Sequence, residues 1–255
     1  MDVRDKVVLV TGGASGIGFA TAELLTTNGA RLVLADHDRA TGERASATLG
    51  AVFMHLDVRD PAQWRDVCER VARDHGRLDV VYLNAGVNCP SRSIAEVSVE
   101  DLTRTVETNL YGIVYGVHSC LRLLEANGGA IVVTASIAGL RRSEADPIYA
   151  MTKHGVIGLM RSLATQLAER NITINAVCPT VTDTPMVRGN AEFRREFEPL
   201  GIPMLEPAAV AHAVLGILAS GATGQAVVCR PGHVPTAWPF PAPDESATEP
   251  LPRPV

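Results

Sequence analysis

Seven short runs rich in Val, Ile and Leu, set apart by longer stretches of helical periodicity, constrain the fold of this chain more than any other feature. The runs cover residues 6–10, 31–35, 52–56, 79–83, 130–134, 173–177 and 226–229, and they mostly lack alternation of apolar with polar residues. A strand with one face in water alternates, whereas a strand covered on both faces does not. Helical patterns lie between the runs at 17–27, 61–74, 99–126, 148–170 and 207–219. Strand, helix and strand repeated in this order imply right-handed crossovers. They predict an α/β fold, a doubly wound parallel sheet of seven strands with helices on both faces.

A chain of 255 residues can bury a sufficient core as one domain without disulfides or metal. No linker or shift of composition interrupts the pattern, so a single domain is expected over 1–238. Two segments depart from it. Residues 180–206 form a long, Pro-punctuated, charged stretch, either a lid over a binding site or an ordinary helical excursion. The segment 239–255 reads as an extended or disordered tail, since eight of the sixteen prolines fall within 231–255. Trp238 and Phe240 are placed to pin its first part onto the body or onto a neighbouring subunit.

Composition removes several classes of function. A net charge of -5 offers no footprint for nucleic acid or an anionic membrane surface. Five widely spaced cysteines, none in a C-x-x-C pair, read as reduced thiols. The start has no long apolar segment and runs directly into a strand, and no run is long enough to span a bilayer. A cytoplasmic location is expected. The seven histidines show no metal-ligand spacing, so no metal is expected.

The turn Thr11-Gly12-Gly13-Ala14-Ser15-Gly16-Ile17-Gly18 follows the first strand and opens the first helix. In that context a glycine motif points to a dinucleotide. Gly12 permits the tight turn, Gly16 lets the backbone approach a pyrophosphate, and Gly18 lets the helix pack closely on the sheet. Unpaired N–H groups at the helix start face the phosphates. Asp36 ends the second strand, where a carboxylate accepts hydrogen bonds from the adenosine ribose hydroxyls. It would repel a 2′-phosphate, and no fixed cation stands at Ser15 or His37 to offset it, so NAD is expected rather than NADP. Arg39, the nearest cation, is expected to face solvent. Asp57-Val58 and Asn84-Ala85-Gly86 follow the third and fourth strands at the rim where open α/β sheets bind ligands.

Tyr149 and Lys153 stand four apart in a helical pattern, so their side chains share one face. The chain has 21 arginines but two lysines, Lys6 and Lys153, which suggests a site that wants a compact ammonium in place of a guanidinium fork. A phenol with a reference pKa of about 10 is a poor base near neutrality. A nearby ammonium and an oxidised nicotinamide both favour phenolate, which could take the proton of an alcohol as hydride leaves. Ser136, just beyond the fifth strand, could hydrogen-bond the substrate oxygen. Asn109, within the long helical pattern, is either an exposed amide or an anchor for a water in a proton relay.

Taken together and in this order, Thr11-Gly12-x-x-x-Gly16-x-Gly18, Asp36, Asp57, Asn84-Ala85-Gly86, Asn109, Ser136 and Tyr149-x-x-x-Lys153 resemble the single-domain branch of the short-chain dehydrogenase/reductase family, over residues 5–230. The resemblance implies a seven-stranded Rossmann sheet and a catalytic tetrad of Asn109, Ser136, Tyr149 and Lys153. It implies that Lys153 binds the nicotinamide ribose. It also counts Pro179, Thr182 and Thr184 among the cofactor contacts, with Thr184 toward the carboxamide. The assembly it implies is a homodimer or homotetramer built through the helices that hold Asn109 and Tyr149.

Three departures stand out. Pro179-Thr180 replaces the family's usual Pro-Gly, and a β-branched residue restricts the backbone there. Arg230-Pro231-Gly232 replaces the usual Asp-Gly-Gly, which puts the usual C-terminal packing and a standard tetramer in doubt. The tail beyond 238 has no counterpart. By analogy the substrate wall comes from 87–94, 137–148 and 182–205, where Met186, Phe193, Phe197, Leu200 and Met204 favour a hydrophobic alcohol or ketone, or simply pack the lid. Arg141 and Arg142 are either partners for a substrate carboxylate or ordinary surface charges. A catalytically silent, cofactor-binding scaffold of the same fold is the rival function, disfavoured by the intact Ser136, Tyr149 and Lys153. Epimerases and dehydratases of related fold use a similar Tyr-Lys pair, but with a separate substrate region for which this chain has no room.

Overall fold

The computed structural model of the protein describes residues 1–90, 93–144, 146–189, 201 and 203–241. Phe193, Phe197 and Leu200 of the expected lid, and the tail beyond 241, lie outside the described residues. Seven strands correspond to the seven apolar runs: β1 Val7–Thr11, β2 Arg31–Asp36, β3 Val52–His55, β4 Val80–Leu83, β5 Gly129–Thr134, β6 Ile172–Pro179 and β7 Ala226–Cys229. They are parallel, in the order β3-β2-β1-β4-β5-β6-β7. Order reverses between β1 and β4, which opens a crevice at the carboxyl ends of those strands.

The helices are α1 Gly16–Thr27, α2 Arg39–Leu49, α3 Pro61–His75, α4 Val99–Val106, α5 Gly112–Glu125, α6 Pro147–Ala168, α7 Pro185–Arg188 and α8 Pro207–Ser220. Several ends are legible as chemistry. Asp60 caps α3 by accepting from the amides of Ala62 and Gln63, Pro61 fills the first helical position, and Gly76 closes the helix at φ 70°. Both faces of the sheet are covered. Val7 and Leu9 point into one buried layer with Trp64, Ile131 and Met160, while Val8 and Val10 point into the other with Leu34, Tyr82 and Val214. This is why the strands read as unbroken apolar runs.

Two expectations are corrected. Among the described residues the sheet has eight strands, not seven: β8, Thr236–Ala237, runs antiparallel on β7, pairing Val227 with Ala237 and Val228 with Thr236. Gly232, at φ 71°, lies in the reversal after β7, and the returning chain covers an edge that would otherwise be open. Trp238 donates its amide to the Ala226 carbonyl at 2.7 Å. Trp238 and Phe240 then pack on the core, with the Arg161 guanidinium 4.1 Å over the Phe240 ring. The single helix expected over 99–126 is instead interrupted by one π-helical turn, Glu107–Tyr111, between α4 and α5. That turn carries Asn109. Insertions of this kind are frequent at functional sites, and a pattern of apolar residues does not reveal them.

Candidate active site

The crevice at the carboxyl ends of β1, β4 and β5 is a cavity of about 640 Å³. Its first end is the glycine turn. Gly12 and Gly16 have φ of 62° and 54°, which other residues adopt at a cost. Asn84 clamps this turn: its amide donates to the carbonyls of Thr11 and Gly12 at 3.2 and 3.3 Å. The Thr11 hydroxyl in turn accepts from the amides of Asn84 and Ala85. Asp36 lies at the same end, accepting from the amides of Ala14 at 3.1 Å and Asp38 at 3.0 Å, with the His37 ring 3.2 Å away. Arg39 is exposed and does not line the cavity.

The second end is built from β5, β6 and α6. Asp146 caps α6, Pro147 starts it, and the first turns deliver Tyr149 and Lys153 onto the face that lines the cavity. Ser136 follows β5, and its hydroxyl oxygen accepts from the Ala138 amide at 3.1 Å, which leaves its proton free to reach Tyr149. Lys153 is 2% exposed and donates to the Thr134 carbonyl at 2.8 Å. The Thr134 hydroxyl donates to Asn84 at 3.0 Å, so a chain of hydrogen bonds runs from the glycine turn to the lysine.

Every sequence-derived site residue except Gly18 and Asn109 lines the cavity: Gly12, Ser15, Gly16, Ile17, Asp36, Asp57, Val58, Asn84, Ala85, Gly86, Ser136, Tyr149, Lys153, Pro179, Thr182 and Thr184. Gly18 stands behind the turn, in contact with Gly12. Asn109 is fully buried behind the wall; it accepts from the Val87 amide at 2.8 Å and donates to the Val87 carbonyl and the Thr152 hydroxyl. It is therefore not the exposed amide weighed from sequence. The Asp57 carboxylate is clasped by Arg59, with contacts of 2.6–3.1 Å, and that hydrogen-bonded partner holds it below the ordinary carboxylate range.

Burial is the largest influence on the two titratable side chains of the site. Burial pushes the Tyr149 phenol up to about 12, against a lowering by the Ser136 hydrogen bond, with Asp146 and Cys178 adding to the rise. Burial likewise draws Lys153 down to about 8. The lysine and an oxidised nicotinamide were expected together to favour phenolate; the Lys153 ammonium lies 5.4 Å from the ring centroid and donates to the Thr134 carbonyl. Among the protein's own groups, desolvation outweighs the Ser136 hydrogen bond at the phenol. Tyr149 keeps part of its surface open to the cavity, where water offsets some of that cost.

Arg141 and Arg142 do not line the cavity, and Arg142 pairs in solvent with Glu144 at 3.1 Å. Thr180 lines the cavity with its backbone outside the left-handed region, so the β-branched residue is accommodated. Sequence reasoning missed Ala14, Thr134 and Asp146. Asp146 had a signal, an acid directly before Pro147 at a helix start. Among the described residues no three His, Cys, Asp or Glu side chains converge as a metal site requires. No helix among them is long and apolar enough to cross a membrane.

Residues 6–195 match the short chain dehydrogenase family. The chain is 32% identical over 247 residues to short-chain dehydrogenase reductase 3b of Arabidopsis thaliana, covering 95% of this chain and 90% of that one. It is 31% identical over 254 residues to the NAD(+) 15-hydroxyprostaglandin dehydrogenase of Rattus norvegicus, covering 89% and 91%. Among solved structures, the 3-ketoacyl-(acyl-carrier-protein) reductase of Brucella melitensis complexed with NADH superposes with a TM-score of 0.83 at 28% identity, covering 90% of this chain and 98% of that one. With its parallel sheet, its glycine turn at the switch point and these relatives, the chain belongs to the short-chain dehydrogenase/reductase family of oxidoreductases.

Proposed function

We propose that the protein is an NAD-dependent oxidoreductase that interconverts a secondary alcohol and a ketone, with Tyr149 as general acid and base. The observation that carries this reading is the convergence of Ser136, Tyr149 and Lys153 at one end of a cavity whose other end holds a glycine turn and a carboxylate. The nicotinamide nucleotide, when bound, supplies the hydride acceptor or donor. The fit of this chain to it is specific. At Gly16 an added Cβ would stand 3.2 Å from Thr184, so the glycine keeps open the passage between turn and lid. Asp36, which accepts from the Ala14 and Asp38 amides at the rim of the cavity, would accept the adenosine ribose hydroxyls and repel a 2′-phosphate, which supports NAD over NADP. The rat relative is named for NAD(+) and the Brucella reductase binds NADH.

Ser136 would hold the substrate oxygen, its own lone pair fixed by the Ala138 amide. Tyr149 would move the proton. Lys153, buried between Tyr149 and Thr134, would hold the ribose and favour phenolate. Pro179, Thr182 and Thr184 would bound the nicotinamide end. The substrate we infer is a hydrophobic small molecule, in keeping with the hydroxyl-bearing ligand for which the rat relative is named. A homodimer or homotetramer is inferred through the π turn, α5 and α6, where Tyr111, Val114 and Met151 are 47%, 38% and 50% exposed.

Calorimetric titration with NAD and NADP separately, repeated with Asp36→Ala, tests the cofactor half. Tight NAD binding that weakens in the variant, with little NADP binding, is expected. Failure to bind either nucleotide would sink the reading. For the chemistry, Tyr149→Phe should lower kcat by about 10²–10⁴-fold with NAD binding retained.

A further inference from the structure

Asp146 does more than a helix cap requires. A cap needs one acceptor for the amide two or three residues on, and Ser, Thr or Asn supplies it. Here one carboxylate oxygen accepts from the Tyr149 amide at 2.8 Å, and the other accepts from the Cys89 amide at 3.1 Å. The first bond lies in the turn that carries the reacting phenol. The second reaches across the cavity to the loop after β4, which also lines it. Only a carboxylate offers two acceptor atoms with no donor among them, which is what two separate N–H groups demand. Asn109 straps the same loop at Val87. The wall facing Tyr149 is thus held at two points, from the π turn and from the cap of α6.

We infer that Asp146 is a positioning residue, which ties the substrate wall to the helix bearing Tyr149 and keeps a fixed negative charge beside the reacting phenol. The inference rests on the proposed role of Tyr149. Among the described residues, the groups around that phenol are Asp146 at the cap of α6, Lys153 on α6, Ser136 after β5 and Cys178 on β6. Of these, Lys153 carries the positive charge and Asp146 the negative one. The charge of Asp146 works against phenolate and raises the phenol's pKa, while the Ser136 hydrogen bond works for phenolate. The pair therefore sets Tyr149 between two opposing influences. A phenol held in this way returns its proton readily, as a group acting as both acid and base must.

The test uses Asp146→Asn, which keeps a capping oxygen but loses the charge and one of the two acceptors. The phenolate absorbance of the NAD-loaded protein is titrated with pH, and the Tyr149→Phe titration is subtracted to isolate one tyrosine. The midpoint should fall by about 0.5 pH unit or more, equal to about threefold more phenolate well below the midpoint. Asp146→Glu should restore it. Hydrogen exchange of residues 86–90 in the cofactor-free protein should quicken about tenfold in Asp146→Asn as the strap opens. Should Asp146→Asn not fold, Asp146→Ser, a sound cap without charge, replaces it. An unchanged or higher midpoint, or unchanged exchange at 86–90, overturns the inference. Loss of NAD binding by the unaltered protein would instead overturn the proposed function, leaving the exchange experiment to judge the strap alone.

Discussion

Gly18, the third residue of α1, does not line the cavity but packs against the glycine turn that does. An added Cβ would stand 2.0 Å from the Gly12 carbonyl oxygen and 2.7 Å from the Asn84 amide nitrogen. Ordinary non-bonded contact lies at about 3.5 Å, so the overlap with the oxygen is about 1.5 Å. Neither neighbour can retreat cheaply, because the first is backbone and the second already donates to Thr11 and Gly12. Overpacking of this kind costs about 3 kcal/mol, and the gain in helix propensity from Gly to Ala returns about 1 kcal/mol. The net loss of about 2 kcal/mol should lower Tm of a chain of this size by about 4–8 °C. Gly216→Ala is the control. It is also a helical glycine, in α8, but its Cβ meets nothing within 4 Å, so it should gain the propensity of about 1 kcal/mol without the clash. Thermal unfolding of the cofactor-free variants, followed by NAD titration, reads both. Should Gly18→Ala melt at or above the unaltered protein and bind NAD equally well, the close packing of α1 on the turn is not what the structure shows.

Other expectations follow from the buried groups. Lys153 is depressed from 10.5 to about 8, so between those values the unfolded chain holds a proton that the folded one has shed, and stability from this group rises with pH across that window. The unaltered protein should therefore gain on Lys153→Met, by up to about 2 kcal/mol, as urea unfolding is moved from pH 7.5 to about pH 10; a difference independent of pH would refute it. The Thr180 hydroxyl is buried without a hydrogen-bond partner among the described residues, so Thr180→Val should be neutral or stabilising by up to about 1 kcal/mol, and a loss beyond about 1 kcal/mol in urea unfolding would show a partner for that hydroxyl.

The strands were legible because burial on both faces leaves a composition signal that needs no partner to interpret. The glycine turn was legible for a related reason: Gly12 and Gly16 answer to local backbone geometry. What escaped was set by contacts between distant segments. The eighth strand depends on a return of the chain onto β7, and Thr236-Ala237 carries no strand signal of its own. The π turn depends on Asn109 reaching Val87, 22 residues away. Spacing along a helix shows that Lys153 is near Tyr149, but not that its ammonium turns to Thr134 or that Lys153 is buried while Tyr149 keeps part of its surface open.

The scarcity of lysine shows the limit of compositional reasoning most clearly. Rarity alone marks Lys6, the chain's other lysine, as much as Lys153, and the tyrosine four residues before Lys153 is what separates them in the sequence. Lys6 lies at the opposite, amino-terminal end of the sheet, 3.6 Å from Asp79, with its side chain 33% exposed. There it shares the carboxylate with Arg77, while Asp79 also accepts from the Val7 amide at 2.9 Å. That cluster ties β1 to the segment entering β4, and an arginine already takes part in it, so a guanidinium is tolerated where Lys6 stands. Lys153 differs in having its ammonium buried against a single carbonyl, 5.4 Å from a phenol ring, in a space lined by Gly86 and by the Asn109 oxygen. A planar fork with five donors would leave most of them unsatisfied there. Rarity with the Tyr149 spacing singles out Lys153 in the sequence, and the burial and partners of each ammonium then set the partly exposed, ion-paired Lys6 apart from the buried Lys153.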